Sequence, residues 1–575
     1  MTDPSASGSA NRGVLGALAV FLERRSLVML ALGFAAGLPN LLIFDTLSAW
    51  LREAGLSLEV IGFFSLATLA YSFKFLWAPL VDRTTVLGLT RLLGHRRSWM
   101  LVCQALIILG LWLVAGTDPA VNLGVMALFA VFVGFSSATQ DIVIDAWRIE
   151  AAEQAKQGAL AAAYQWGYRI AMIVAGAVPL LLAEQRGWSF SYAVMAALML
   201  VGVLGVLFAP REAQHRIRPI HAEGMREQPA LEVLEWLVRL ALFVLGALVL
   251  GSGLSGNASL LANILGAFQL EDFGKALVAF WTAKPWGVWV QLLGVLTGGF
   301  LIYLATRPIP GRPTRPGIYL SRALGEPLAD FFARFGKSAG LVLALICVYR
   351  LSDFVLNIMN PFYLDLGFTK PEIAEVRKVY GVVTSMLGVF LGGFAIARWG
   401  VMRPLVIGAL SGPISNLVFV WLATRGHDMS ALYLVISVDN LASGFSGTCL
   451  IAYMSSLTTA GFTATQYALF SSLYALPGKL IASQSGRIVE SAARSAEAGG
   501  MFAPLTGLFS SVTPDAFLGA AKIQLAPVSL GVGYAVFFIY SCLIGVLAII
   551  LTLVISRRQP AAGGTPTEGA RSTSE

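Results

Sequence analysis

Charge is what this 575-residue chain has least of: Lys, Arg, Asp and Glu together make up 13% of it, where a soluble domain carries about 25%. With 57% hydrophobic residues and 59 glycines, that scarcity excludes an ordinary soluble domain and points to a polytopic helical membrane protein. Cysteine is scarce too. Cys103, Cys347, Cys449 and Cys542 each sit in an apolar run, and no two are spaced as a metal clip or an oxidised staple, so they read as small buried hydrophobes. The histidines His95, His215, His221 and His427 fall in predicted loops or at span ends, which argues against the catalytic His and carboxylate of a membrane-embedded acyltransferase. There is no G-x-x-x-x-G-K-[ST] phosphate loop to drive transport with ATP and no H-E-x-x-H metal site. The chain is therefore expected to be no enzyme and to need no cofactor or metal. Its net charge of +8 is no signal for nucleic acid, because membrane proteins collect Lys and Arg in their cytoplasmic loops.

What the chain has in quantity is apolar runs long enough to cross about 30 Å of hydrocarbon. They lie near 27–51, 58–81, 98–116, 121–147, 158–183 and 188–209. A polar linker follows with Arg211, Arg216, Arg218 and Arg226, then two further runs near 237–256 and 286–305, separated by a mixed stretch holding Glu271, Asp272, Lys275 and Lys284. A basic, proline-rich loop with Arg307, Pro308, Pro310, Arg312, Pro313, Arg315, Pro316 and Arg322 comes next. Six more runs sit near 339–366, 373–397, 402–424, 430–457, 466–490 and 526–556, for about fourteen spans in all. The expected organisation is an all-α membrane protein with a cytoplasmic N-terminal segment (1–26), a six-helix half (27–209) and a linker carrying two extra membrane helices (210–338). A second six-helix half (339–556) and a disordered cytoplasmic tail (557–575) complete it. No cleavage site of the removable-signal type follows the first polar residues.

Lys and Arg concentrate on one side: Arg12, Arg24 and Arg25 before the first span, Arg83, Arg91, Arg96 and Arg97 after the second, both linkers, and Arg557 and Arg558 after the last. That side is predicted to be cytoplasmic, with both termini inside. The loop with Lys370, Arg377 and Lys378 is the exception, and Asp365, Glu372 and Glu375 balance it.

The two sets of six look related. REAGLSLEVIG from Arg52 resembles LDLGFTKPEIAEV from Leu364, and GFSSATQDIVIDAW from Gly134 matches GFSGTCLIAYMSSL from Gly444, each in the fourth span of its half. Internal repeats of this kind build many secondary transporters, with the substrate site near the midplane between the repeats.

The polar residues inside the spans are the functional candidates, because each charge there costs about 2.5–3.5 kcal/mol on insertion scales. Asp141 and Asp145 stand four residues apart, on one helical face with Gly134, Ser137, Ala138 and Arg148. Two carboxylates this close repel when both are ionised, and burial also disfavours charge, so the pair suits uptake and release of a proton. A structural pairing of Asp145 with Arg148 or Lys74 is the plainer alternative. Span one adds Pro39, Asn40 and Asp45, the last a further proton-coupling candidate or a hydrated residue at the outer mouth. Span two adds Tyr71, Lys74 and Trp77; Lys74 could snorkel, pair with Asp141 or hold a substrate carboxylate. Tyr164, Gln165, Tyr168 and Arg169 line span five, and Tyr474 and Lys479 its counterpart. Arg350, Asp353, Asn357 and Asn360 form a polar stripe in the span from 339, and Asp439, Asn440, Ser443 and Thr448 follow in the span from 430. Cations at Lys74, Arg169, Arg350 and Lys479 beside aromatic rings suit a ligand with carboxylates and sugar rings, although some of these charges would only lock helices together. Asp82 and Arg83 in APLVDR, with Arg96 and Arg97 downstream, are similar to the loop signature that latches the cytoplasmic ends of helices in major facilitator transporters, less its initial glycine.

The stretch from GLPNLLIFDTLSAWLREAGLSLEVIG through APLVDR, followed by GFSSATQDIVIDAWRIE, resembles the AmpG muropeptide permeases, a branch of the major facilitator superfamily that also includes acetyl-coenzyme A transporters. The resemblance covers nearly the whole chain apart from its ends and the proline-rich loop. It implies a major facilitator fold and proton-coupled import of N-acetylglucosaminyl-anhydromuramyl peptides across the bacterial inner membrane for cell-wall recycling, with an indirect role in β-lactamase induction. It also implies Gln140, Asp141 and Asp145 as the core polar site, with Asp141 as the coupling group. Protons, the small-molecule substrate and the lipid bilayer are then the only partners expected, and a complete two-half bundle can work as a monomer. The alternatives are another solute, such as an oligopeptide or a coenzyme A thioester, and a non-transporting membrane sensor. A thioester's phosphates call for a denser Arg and Lys cluster, and a sensor for a soluble output domain.

Overall fold

The structure, a computed structural model, describes residues 19–558 except 44, 55–70, 72–73, 87, 213–228, 284–285, 309–313, 355, 483–484 and short stretches within 256–268 and 510–523. The described residues are helical throughout. The principal helices of the first set are α1 (Arg24–Ile43), α2 (Asp45–Glu53), α3 (Ala78–Arg83), α4 (His95–Ala115), α5 (Leu123–Glu150), α6 (Gln157–Arg186), α7 (Trp188–Leu198) and α8 (Leu200–Phe208). The linker contributes α9 (Pro229–Ser255), α10 (Glu271–Thr282), α11 (Gly287–Thr306) and α12 (Arg315–Phe335). The second set comprises α13 (Ala339–Val348), α14 (Met359–Asp365), α15 (Gly381–Trp399), α16 (Met402–Ser415), α17 (Leu417–Ala423), α18 (Met429–Ser456), α19 (Thr463–Ala482), α20 (Ser485–Glu497) and α21 (Pro527–Arg558).

Among the described residues, 12 helices are long and apolar enough to cross a membrane. The expected count of about fourteen is not reproduced as it stands. Most of the second expected span, 58–81, lies outside the described residues, and the eleventh, 466–490, crosses 483–484, which also lie outside them. The basic loop is shorter than its composition suggests. Arg315, Pro316 and Arg322 belong to α12, where Pro316 occupies the first turn at no hydrogen-bond cost and the Thr314 side chain accepts from the Gly317 N–H at 3.3 Å. The mixed stretch after Leu270 is likewise partly helical, as α10.

Helix ends follow local chemistry. Gly187 and Gly400 take φ values of +83° and +76°, the left-handed conformation that stops α6 and α15. Asp428 caps α18 by accepting from the Ala431 N–H at 3.1 Å. Two separate buried clusters follow the two sets: Leu38, Leu42, Ile107, Met126 and Tyr192 in the first, Phe362, Phe419, Val435, Tyr534 and Phe538 in the second.

Lipid gives helices no hydrophobic reason to associate, so backbone proximity through small residues does the packing. A Cβ built on Gly33 would lie 2.1 Å from the Tyr164 carbonyl oxygen, and one on Gly167 would lie 2.0 Å from that of Leu30, so α1 and α6 touch backbone to backbone. In the second set, Gly388 and Gly444 give the same closeness to α15 and α18, at 2.2 and 2.3 Å from the Leu441 and Ser385 oxygens. Gly158 packs against Ile396 where the two sets meet.

Gly167→Ala is therefore expected to force α1 and α6 apart and lower the apparent melting temperature in detergent by about 4 °C or more. Gly176→Ala on the same helix, where the nearest atom is 3.7 Å away, should leave it unchanged or raise it slightly. Equal melting temperatures for the two variants would refute this packing account.

Candidate functional site

The C-terminal half of α5 carries the central polar group. Every residue from Ser136 to Arg148 is buried, so here the helix is enclosed on all sides. Asp145 sits between two cations: Lys74 Nζ is 3.8 Å from its Oδ2 and Arg148 Nη2 is 3.4 Å from its Oδ1. The guanidinium of Arg148 also donates to Ser455 Oγ at 2.9 Å and lies over the Tyr467 ring at 5.1 Å, so it joins α5 to α18 and α19. Lys74 thus meets Asp145 rather than Asp141.

Asp141, one turn earlier and 7% exposed, has no ion pair among the described residues, and its buried Oδ1 has no hydrogen-bond partner. Lys74, Asp145 and the hydroxyls of Tyr71, Tyr164 and Tyr168 lie within electrostatic reach of it. Two carboxylates of one helix face therefore have different settings. Asp145 has its counter-charges, whereas Asp141 keeps an acceptor oxygen for a proton or a donor group.

Around them the side chains are tightly tied. Tyr71 donates to Ser137 Oγ at 2.8 Å, Trp77 Nε1 to Thr139 Oγ1 at 3.1 Å, and Asn40 Nδ2 to the Tyr168 hydroxyl at 2.9 Å. Gln140 is fully buried and its amide donates to the Ala35 carbonyl at 3.0 Å, so in this conformation it holds α5 to α1. Gln165 reaches across the two sets and donates to Thr448 Oγ1 at 2.7 Å. Arg169, one turn further along α6, is half-buried within electrostatic range of Arg350 from the second set. The side chains of Asp45, Asn357 and Lys479 lie outside the described residues.

In the second set, Arg350 donates through Nε and Nη2 to Asp353 Oδ2 at 2.9 and 2.8 Å, and through Nη2 to Ser443 Oγ at 2.8 Å. Gly447 leaves room for it, since a Cβ there would lie 3.2 Å from Nη1. The pair borders a cavity of about 350 Å³ whose other polar walls include Tyr363, Arg377, Asp439 and Asn440. Sequence reasoning set Arg377 in an outer loop, whereas the residue stands on a π-helical stretch, Ala374–Tyr380, that leads into α15. Asp439 and Asn440 were legible only as polar positions without a role.

Asp82 and Arg83 lie at the Arg-rich end. Asp82 is fully buried and crosses to the second set, accepting from Thr465 N at 2.9 Å, Thr465 Oγ1 at 2.7 Å and Ala464 N at 3.3 Å. A carboxylate thus caps the N-terminus of α19, where N–H groups lack helical partners and the helix dipole favours negative charge. Arg96 holds that carboxylate at 2.7 Å and also pairs with Glu150 at 2.7 Å. Arg97 donates to the Val206 and Leu207 carbonyls at the end of α8, both at 3.0 Å. Arg83 donates to Glu326 of α12 at 2.8 Å, and α12 grips the second set through Asp330, which accepts from Thr459 Oγ1 at 2.8 Å and Gln466 Nε2 at 3.0 Å. The two sets are closed against each other at this end.

In sequence the chain matches the model of the Major Facilitator Superfamily over residues 26–482. It is 29% identical over 459 residues, 79% of this chain and 72% of the other, to a protein named anhydromuropeptide permease from Escherichia coli K12. It is 27% identical over 457 residues, 79% of this chain and 87% of the other, to one named putative transporter AmpG 4 from Rickettsia felis. In fold it is similar to the solved structure of the proton:xylose symporter XylE bound to 6-bromo-6-deoxy-D-glucose, with a TM-score of 0.50, 11% identity and coverage of 94% of this chain and 95% of that one. An all-helical, multi-pass membrane transporter, the chain belongs to the Major Facilitator Superfamily.

Proposed function

We propose that this protein is a proton-coupled importer of N-acetylglucosaminyl-anhydromuramyl peptides in the bacterial inner membrane, with its Arg-rich side and both termini in the cytoplasm. It serves cell-wall recycling and, through the imported fragments, indirectly feeds β-lactamase induction. The observation that carries the proton role is the setting of Asp141: a buried carboxylate in the bundle, without an ion pair among the described residues, one turn from a carboxylate that has two. The name of the E. coli relative supports the substrate, as do the tyrosines and cations near the half-interface.

In this reading, a proton from the acidic exterior neutralises Asp141 and removes its repulsion of Asp145. Substrate then binds between the halves, near Tyr164, Tyr168 and Arg169, and the halves rock about it. Opening to the cytoplasm pulls Asp82 off the N-terminus of α19, and substrate and proton leave together.

Uptake of labelled anhydromuropeptide into proteoliposomes, with and without an inward proton gradient, tests this. Wild-type protein should show gradient-driven uptake, and Asp141→Asn should lose at least about tenfold of the gradient stimulation, about 1.4 kcal/mol of coupling, while still binding substrate. Active reconstituted protein that takes up oligopeptides but no anhydromuropeptide would overturn the substrate. Coupling unchanged in Asp141→Asn would move the proton role to Asp145 or Asp45.

The closure has its own test. Asp82→Asn weakens the charged cap on α19, a contact made only in the closed state, for a loss of about 1.5–3 kcal/mol to that state. A cysteine placed at Ala464, 1% exposed at this seam, should then react with a membrane-impermeant thiol reagent from the cytoplasmic side at least about tenfold faster than in the Asp82 background. No change in labelling would show that the carboxylate does not hold this end shut.

A further inference from the structure

The cavity of the second set contains charges that the proton mechanism does not use. Arg350 and Asp353 satisfy each other at 2.8 Å, and they read as a fixed, neutral wall. Arg377 and Asp439 are different. Neither has an ion pair among the described residues, and both line the same cavity of about 350 Å³, within the ~300–1,000 Å³ range of small-molecule sites. Asp439 is half-buried on α18 and bonds Ser415, with Asp353, Arg350 and Arg377 in electrostatic range. Arg377 is held by Asn360 and by the face of Tyr363, 5.9 Å from its guanidinium. It enters the cavity from the π-helical stretch Ala374–Tyr380; π-helical turns are rare and recur at functional sites.

A planar cationic fork and a carboxylate brought to one cavity by different elements make a receptor for opposite charges. The fork matches a carboxylate bidentately, and the aspartate accepts from an ammonium. A ligand with only one sign of charge would leave one of the two desolvated and unpaired.

We propose that this cavity is the subsite for a zwitterionic part of the ligand, with a carboxylate on Arg377 and an ammonium on Asp439, and Asn440 and Ser443 adding polar contacts. For the substrate proposed above, on which this inference rests, that part is the peptide stem, and the sugars sit toward Tyr164 and Tyr168. The scale is compatible. Asp439 stands 16 residues before Ser455, the gate-side partner of Arg148, or about 24 Å along α18. A stem of four residues reaches about 14 Å at most, so the stem can lie in the cavity without itself reaching the closed end.

The test uses full-length protein in proteoliposomes and three labelled anhydromuropeptides: one with an unmodified diamino-acid stem, one with the stem ammonium acetylated and one with the stem carboxylates amidated. Wild type should favour the unmodified ligand over each of the others by about tenfold or more in kcat/KM, because a site built for a charged group rejects its neutral analogue. Asp439→Asn should lose the preference against the acetylated ligand and keep the one against the amidated ligand. Arg377→Gln should do the reverse. Should Asp439→Asn fail to fold, as judged by its melting temperature, Arg377→Gln alone decides: loss of the carboxylate preference supports the assignment, and retention overturns it. Unmodified anhydromuropeptide uptake with both preferences intact in both variants overturns the subsite while leaving the transporter reading standing. No uptake of any of the three by active wild-type protein overturns both.

Discussion

A charge carried into hydrocarbon has to find its counter-charge inside the bundle, and Asp145 between Lys74 and Arg148 is where this chain meets that demand. Much of the inner architecture depends on it. Arg148 must lean toward α18 and α19 to bond Ser455 and cover Tyr467, which ties the first set to the second near the closed end. Lys74 must enter from the segment before α3, and Trp77, one turn on, pins that segment to Thr139. With Asp145 compensated, Asp141 is the member of the pair left without an ion pair among the described residues. A proton is the cheapest partner it can take, and taking one needs no rearrangement of the ties around Asp145.

The closed end obeys the same rule by a different device. Asp82 finds both a cation, Arg96, and a helix N-terminus from the other set. The second of these depends on the relative position of the halves, and the first does not. In the proposed cycle, when α19 moves away, Asp82 keeps Arg96 and the two N–H groups of α19 turn to water. The unfavourable step of burying an uncompensated carboxylate is avoided in both conformations, which is what a contact made and broken in each cycle requires. The backbone-close pairs α1 with α6 and α15 with α18 lie within each set and do not need to break, so each half can move as a body.

Much of this was legible in the residues. Apolar runs of span length set the helices, and the cost of charge in a span singled out Asp141 and Asp145 before any coordinates. The partners were not legible. Whether Lys74 meets Asp141 or Asp145 is decided by a helix rotation that local spacing does not encode. Gln140 belongs to the same motif, yet its amide is spent on the Ala35 carbonyl because α1 happens to pass there. Arg377 was hidden by composition: its neighbours Glu372, Glu375 and Lys378 read as an outer loop, and nothing in a string of residues announces a π-helical stretch. The helix α12 was hidden by its prolines, since Pro316 at a first turn looks in sequence like Pro in a loop.

That helix also gives the two extra apolar helices a place in the molecule. α9 and α11 pack closely on each other, since a Cβ built on Gly246, Gly253 or Gly298 would lie within 2.9 Å of backbone on the partner, and Arg239 of α9 donates to the Ala305 and Arg307 carbonyls at the end of α11. α12 leads from this hairpin to the closed end, where it contacts both sets. Toward the second set it has Asp330 with Thr459 and Gln466, the Pro327 carbonyl with Gln466 at 2.9 Å, and Arg334 with the Leu457 carbonyl at 2.9 Å. Toward the first set its ion pair is Arg83 with Glu326, whose carboxylate side chain is 44% exposed. The guanidinium of that pair is buried, yet it is one ion pair against several hydrogen bonds centred on the buried Gln466. Through the contacts described, α12 therefore ties the hairpin to both halves, with more hydrogen bonds to the second set than to the first.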